Sequence, residues 1–281
     1  MATTKRAHLI IGGFPPGSVA GHDMNFARLR LLQNLQTEMS LSVTVANDFQ
    51  DIERWLPGAD FLITYVAGPY PVGPGNEALS KWLKGGGRWL ALHGTSGGKA
   101  VKTNRDGLPV KKMVKAEHHQ TLGCFFLNHP PLCEFQVRVS GDHPVTRGLP
   151  NSFTVQDELY LIELQDPDAS HVLLTTELVE DPSPPGFGFV YDEDTSVLPD
   201  GKTRVLSYAR DIGRGEVVYV GLGHCHIDRL NNASSVDPSI NPDGTMPPDF
   251  RGVWDHNAFK QLIQNAIAWG TGKSQLRSHH L

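Results

Sequence analysis

The sequence predicts an α/β fold: a mostly parallel central sheet with helices on both faces, carrying extra β-strands in its second half. Three observations lead there. Short apolar runs alternate with helix-period segments through the first ninety residues, the second half is richer in strand-like runs, and the chain closes on one amphipathic helix.

The first element is "AHLIIGG" (7–13), a continuous apolar run of the kind shown by a strand buried on both faces. "NFARLRLLQNLQTEM" (25–39) follows as a helix whose predicted buried face carries Phe26, Leu29, Leu32, Leu35 and Met39. "LSVTVAN" (41–47), "DFLITYVAG" (60–68) and "GRWLALHG" (87–94) read as strands, and "NEALSKWLKGG" (76–86) as a helix stopped by glycines. This β-α-β-α-β order calls for right-handed crossovers and a parallel sheet. Further on, "EFQVRVSG" (134–141), "HVLLTTEL" (171–178), "TRVLSYARD" (203–211) and "GEVVYVGLGH" (215–224) are strand candidates, the last two joined by a tight turn at Gly213-Arg214-Gly215. In "DHNAFKQLIQNAIAWG", Phe259, Leu262, Ile263, Ala266 and Ile267 recur at i, i+3, i+4, i+7 and i+8, and the helix ends at Gly270. Stretches 95–112, 181–202 and 228–252 lack periodicity and are expected to be lids or binding loops. No internal repeat or linker divides the chain, so a single domain over 1–281, with its core at about 7–270, is expected.

Bulk properties narrow the function. The 281 residues are 39% hydrophobic and 20% charged, which fits a soluble globular protein. A formal charge of -5 without a Lys/Arg run supplies no footprint for nucleic acid. No apolar stretch is long enough for a membrane span, and "RAHLIIGG" reads as a strand rather than a signal peptide. Cys124, Cys133 and Cys225 form neither a CxxC pair nor an even disulfide framework, so a reducing, cytoplasmic setting is expected. Homodimerisation suits this fold class, although no residue specifies it.

The stretch "LALHGTSGGKA" (90–100) concentrates the chemical question. A phosphate loop fails, because His93 stands where its first Gly is required and Ala100 where Ser or Thr is required, so no nucleotide is expected. Gly94-Thr95-Ser96-Gly97-Gly98 satisfies G-x-S-x-G after a strand. Ser96 with Asp157 or Glu158 and then His224 therefore stays open as a serine-hydrolase alternative. The third reading takes His93 itself as functional, since ligands of open parallel sheets bind beyond the carboxyl ends of the strands. His22 and Asp23 follow the first strand, His224 and His226 end "VVYVGLG", and Asp157-Glu158 in "VQDELYLIE" supplies carboxylates. Imidazoles and a carboxylate converging there would suit a divalent metal, zinc, manganese or similar, or acid/base work. Trp254 lies beside a candidate lid. The doublet His118-His119 is not expected to serve one site, because adjacent helical residues face different directions. His143-Pro144 reads as a turn former, and His279-His280 as a tail.

"GDHPVTRGLPNSFTVQDELY" (141–160), "GRGEVVYVGLGH" (213–224), the "HD" after the first strand, "GRWLALHGTSGG" and "FFLNHP" together resemble the ThuA-like family, named for trehalose utilisation, over about residues 7–270. The resemblance implies a flavodoxin-like sandwich of the class I glutamine amidotransferase type. The nucleophilic Cys of those enzymes has its place taken by His93, which excludes cysteine-dependent amide transfer. It also implies sugar metabolism, with a disaccharide or keto-sugar as the small-molecule ligand. The matching positions are His22, Asp23, His93, His129, Asp157, Glu158, Tyr160 and His224. The expected roles are His93, Glu158, Asp157 and His22 in catalysis, Asp23, Tyr160, His129 and Trp254 in substrate binding, and His93, His224 and His22 as metal ligands. After "GLGH" the chain departs from the family pattern with "CHID" and a long polar segment. A sugar hydrolase or isomerase is the leading expectation, and a non-catalytic sugar-binding or regulatory protein the alternative.

Overall fold

The computed structural model describes residues 4–13, 21–38, 40–228 and 235–272. Met39 and the terminal His279-His280 lie outside them. In chain order the strands are β1 (Lys5–Gly12), β2 (Leu41–Ala46), β3 (Phe61–Val66), β4 (Arg88–Leu92), β5 (Lys99–Arg105), β6 (Leu108–Val114), β7 (Cys124–Asn128) and β8 (Cys133–Val139). They continue with β9 (Ser152–Asp157), β10 (Leu161–Leu164), β11 (His171–Glu177), β12 (Thr203–Ile212), β13 (Gly215–Val220), β14 (His226–Ile227) and β15 (Asp249–Phe250). The α-helices are α1 (Met24–Gln36), α2 (Ile52–Trp55), α3 (Pro74–Lys84), α4 (His118–Leu122) and α5 (Asn257–Gly270).

One nine-stranded sheet, ordered β2-β1-β3-β4-β13-β12-β11-β8-β9, runs through both halves of the chain. Its first five strands are parallel, in the 2-1-3-4-5 order of the flavodoxin-like fold, and from β13 onward every neighbour is antiparallel. Period-2 alternation divides the sheet between two cores. Leu9, Ile11, Ile63, Leu90, Leu92, Val218 and Val220 face α1 and α5, whereas Ile10, Leu62, Trp89, Ala91 and Val217 face α2 and α3. Each fully buried large apolar side chain is worth roughly 1.5–3 kcal/mol, so the five periodic residues of α5, all buried, anchor that layer. The Gly213-Arg214 turn joins β12 and β13 as expected, with Ile212 opposite Gly215.

Three local expectations need correction. The buried face of α1 is Ala27, Leu31 and Leu35, and Leu29 is 55% exposed. Small Ala27 lets the helix approach the sheet, so the i, i+4, i+8 row through it wins over the larger residues beside it. The 95–112 stretch is not irregular, because β5 and β6 pair as a hairpin through Asp106 (φ 53°) and Gly107 (φ 82°), both left-handed as a type I′ turn requires. His118 and His119 are both buried, and both serve the loop after β4. The 181–202 stretch remains irregular, as expected, apart from isolated bridges.

Candidate functional site

The parallel strands deliver their side chains to one edge. β4 ends at Leu92, and His93 begins a turn of 3-10 helix with a φ of 43°. A positive φ is costly for a side-chain-bearing residue and marks a strand-to-helix elbow under strain. Gly94 is required next, since a Cβ there would stand 2.5 Å from the Val66 carbonyl oxygen. His22 follows β1, His224 lies four residues beyond β13, and Glu158 follows β9.

One nitrogen from each of these three histidines and one Glu158 oxygen lie within 4.8 Å of one another. His93 Nε2 is 3.0 Å from His22 Nε2 and 3.3 Å from Glu158 Oε2, and His224 Nδ1 is 3.1 Å from the same oxygen. On the other side, His129 Nε2 is 3.4 Å from Glu158 Oε1. Burial works to raise the Glu158 carboxyl, but the imidazoles of His129, His224 and His93 outweigh it and hold the group well below the usual carboxylate range. Burial lowers the pKa of His224 despite the opposing pull of Glu158.

Proton positions follow from the outer partners. His93 Nδ1 is 2.7 Å from the Gly221 carbonyl oxygen, which only accepts, so Nδ1 donates there and Nε2 is the nitrogen that faces His22 and Glu158. His129 Nδ1 donates to the Pro130 carbonyl at 2.8 Å, so its Nε2 is the nitrogen that faces Glu158. His226 Nε2 donates to the Pro247 carbonyl at 3.0 Å. His226 Nδ1 therefore accepts from His224 Nε2 at 2.9 Å, and His224 Nδ1 is the nitrogen that faces Glu158. That buried nitrogen has no hydrogen-bond partner. Three imidazole nitrogens thus converge on one buried carboxylate, a donor set of the kind that holds a divalent cation. Neutral imidazoles whose other N–H is tied to a carbonyl or a further acceptor are the usual form of metal-ligating histidines.

The remaining expected site residues have other surroundings. Asp157 is fully buried, and its oxygens accept the N–H groups of Gly223 (2.7 Å), His224 (2.9 Å) and Glu158 (2.9 Å), so it clamps the "GLGH" loop instead of facing a ligand. Burial, the largest influence, pushes its carboxyl up to about 7 against the pull of His93 and these donors. Asp23 caps α1 through the Phe26 N–H and pairs with Arg251 at 2.8 Å. Trp254 is core, donating from Nε1 to the Gly223 carbonyl and packing on Tyr65 and Phe259. Tyr160 belongs to the cluster, its ring stacked on His93 at 4.0 Å. Ser96 is buried with its Oγ on Tyr219 Oη at 2.8 Å and the His93 carbonyl, so the triad required by the hydrolase alternative does not form. The three cysteines are free and away from the elbow, and burial pushes the Cys225 thiol up to about 12. His226 matters more than its place in the sequence indicated, and "HCH" two residues apart at a strand end was the available signal. No helix among the described residues is long and apolar enough to cross a membrane.

A family model described as "ThuA: Trehalose utilisation" matches residues 17–233, well over half of the chain. No curated protein matches. Among solved structures, a ThuA-like protein from Bacteroides uniformis is 17% identical, with a TM-score of 0.58 and coverage of 96% of this chain and 92% of that one. A ThuA-like protein from Parabacteroides merdae is also 17% identical, with a TM-score of 0.55 and coverage of 95% and 90%. The cold-adapted β-galactosidase of Rahnella sp. R3 is 14% identical with a TM-score of 0.51, the likeness covering 97% of this chain and 31% of the enzyme. At these identities the likeness shows the fold.

Proposed function

The chain belongs to the ThuA trehalose-utilisation family, and from that premise we propose that it is a divalent-cation-dependent enzyme acting on a disaccharide or a keto-sugar derived from one. The observation that carries this reading is the convergence of one nitrogen each from His22, His93 and His224 with a Glu158 oxygen within 4.8 Å of one another, the far nitrogens of His93 and His224 being tied to a carbonyl and to His226. His22, His93, His224 and Glu158 would hold the cation, and three nitrogens with one oxygen suit zinc or manganese. When bound, such an ion polarises a carbonyl or hydroxyl oxygen and lowers the pKa of water.

The protein's own groups supply the rest. His129 has the most open ring of the cluster, with 16% of its side chain exposed, and as a neutral base it would take a proton at Nε2 from a sugar hydroxyl or from a carbon next to a carbonyl. The imidazolium so formed stays beside Glu158 Oε1, which stabilises it. Tyr160 fixes the plane of His93 by stacking, and Asp157 holds the backbone that carries His224. These roles suit proton transfer in isomerisation, enolisation or hydrolysis.

The test is proton-carbon exchange and product formation followed by NMR in D2O, with trehalose and its 3-keto derivative, with added Mn2+ or Zn2+ and with chelator. Turnover lost with chelator and in His129→Ala is the expected outcome. Turnover indifferent to chelator and to Glu158→Gln would overturn the reading.

A further inference from the structure

The backbone behind His93 is held in an unusual way. Five consecutive carbonyl oxygens, from His93 to Gly97, accept hydrogen bonds from side chains. Tyr219 Oη donates to the His93 oxygen at 3.1 Å and Tyr70 Oη to the Gly94 oxygen at 2.7 Å. His118 Nε2 donates to the Thr95 oxygen at 3.0 Å, and His119 Nε2 reaches the Ser96 and Gly97 oxygens at 3.0 and 2.9 Å. None of the four donor side chains contributes an atom to the His22, His93, Glu158, His224 cluster. Backbone carbonyls are ordinarily satisfied by secondary structure, so five in succession held by side chains is a dedicated arrangement.

The donors are themselves locked. Tyr70 stacks on His118 at 4.2 Å with the ring planes 7° apart, and the His118 and His119 rings are 4.0 Å apart. His119 Nε2 meets only the two carbonyl oxygens and so donates to them, while Nδ1, 2.8 Å from the Ala116 nitrogen and 2.9 Å from its oxygen, accepts the Ala116 N–H. His118 is fully buried, and its Nδ1 has no hydrogen-bond partner. A fully apolar residue would avoid that orphaned atom, so what histidine contributes at 118 is the donor to Thr95.

We propose that Tyr70, His118 and His119 are positioning residues that hold the strained elbow so that His93 presents Nε2 to the cluster. This rests on the reading of His93 as a ligand, and it extends that site to a second layer on α4 and the loop before α3. Backbone that relaxed from a φ of 43° would swing the His93 ring off the Gly221 carbonyl and lose its fixed tautomer. Because β5 and β6 leave the elbow at Gly97 and return at Lys115, the hairpin is anchored at both ends on the same assembly.

The test uses full-length protein with ring-15N histidine, in Tyr70→Phe, His119→Leu and His119→Gln variants, Gln keeping a donor. Without added metal, wild type is expected to show His93 as one Nδ1–H tautomer, and Tyr70→Phe and His119→Leu a tautomer mixture. With Zn2+, the dissociation constant is expected to rise by about tenfold or more in those two variants and to return toward wild type in His119→Gln. If His119→Leu does not fold, Tyr70→Phe, which removes a single oxygen, carries the test. Variants that melt earlier yet keep the His93 resonances and the Zn2+ constant would reduce the assembly to a structural role and overturn the proposal. Wild type that binds no Zn2+ would remove the cation from the proposed function, and the tautomer comparison would then decide this inference alone.

Discussion

Replacing Asp157 by Ala removes the acceptor for three backbone N–H groups, those of Gly223, His224 and Glu158, inside a fully buried position. Each orphaned buried donor costs about 1–3 kcal/mol. Water entering the space left by the carboxylate recovers part of that, so a net loss of about 3–6 kcal/mol is expected. For a chain of this size each kcal/mol shifts the melting temperature by about 2 °C, which gives a fall of roughly 6–12 °C. Asp157→Asn keeps one acceptor oxygen and should lose less, about 2 kcal/mol. Scanning calorimetry at pH 7.5 on wild type and both variants measures this. A shift below about 2 °C in Asp157→Ala would refute the claim that the carboxylate clamps the "GLGH" loop.

Three other outcomes are expected. Burial lowers the His8 pKa from 6.5 to about 4, so the unfolded chain takes up a proton first on acidification. The contribution of His8 is therefore complete above pH 6.5 and lost between pH 6.5 and 4, on the order of 2 kcal/mol, and His8→Gln should flatten that part of the stability profile in urea titrations. Gly94→Ala puts a Cβ 2.5 Å from the Val66 carbonyl oxygen and should prevent accumulation of folded protein, read by circular dichroism of the soluble fraction. His226→Leu frees the tautomer of His224 and should weaken Zn2+ binding by about tenfold, with recovery in His226→Gln, both read by competition titration.

Much of the fold was legible because its signals are local. The continuous apolar runs of β1, β3 and β4 and the i, i+3, i+4 row of α5 each report burial directly, and the Gly213-Arg214 turn sits between two clear strands. The β5–β6 hairpin was missed although Asp106-Gly107 is a strong turn signal, because its strands are mostly exposed and carry no apolar alternation. The strand-end rule located His22, His93 and His224 before their distances were known, since topology alone sends those ends to one edge. It could not reveal that Asp157 would be spent on backbone N–H groups, that Trp254 would turn into the core, or that His118 and His119 would share one loop. Those outcomes depend on long-range packing, with partners such as Gly223 and Thr95 that no sequence period connects to them.

The central claim, a cation held by His22, His93, Glu158 and His224, is tested most directly by elemental analysis of protein purified without chelator, alongside His93→Ala and His224→Ala. One equivalent of a divalent metal in wild type, lost in both variants while each remains folded, is the predicted result. Metal-free wild type that also fails to take up Zn2+ or Mn2+ in equilibrium dialysis would contradict it, and the imidazoles around Glu158 would then be balanced by protons.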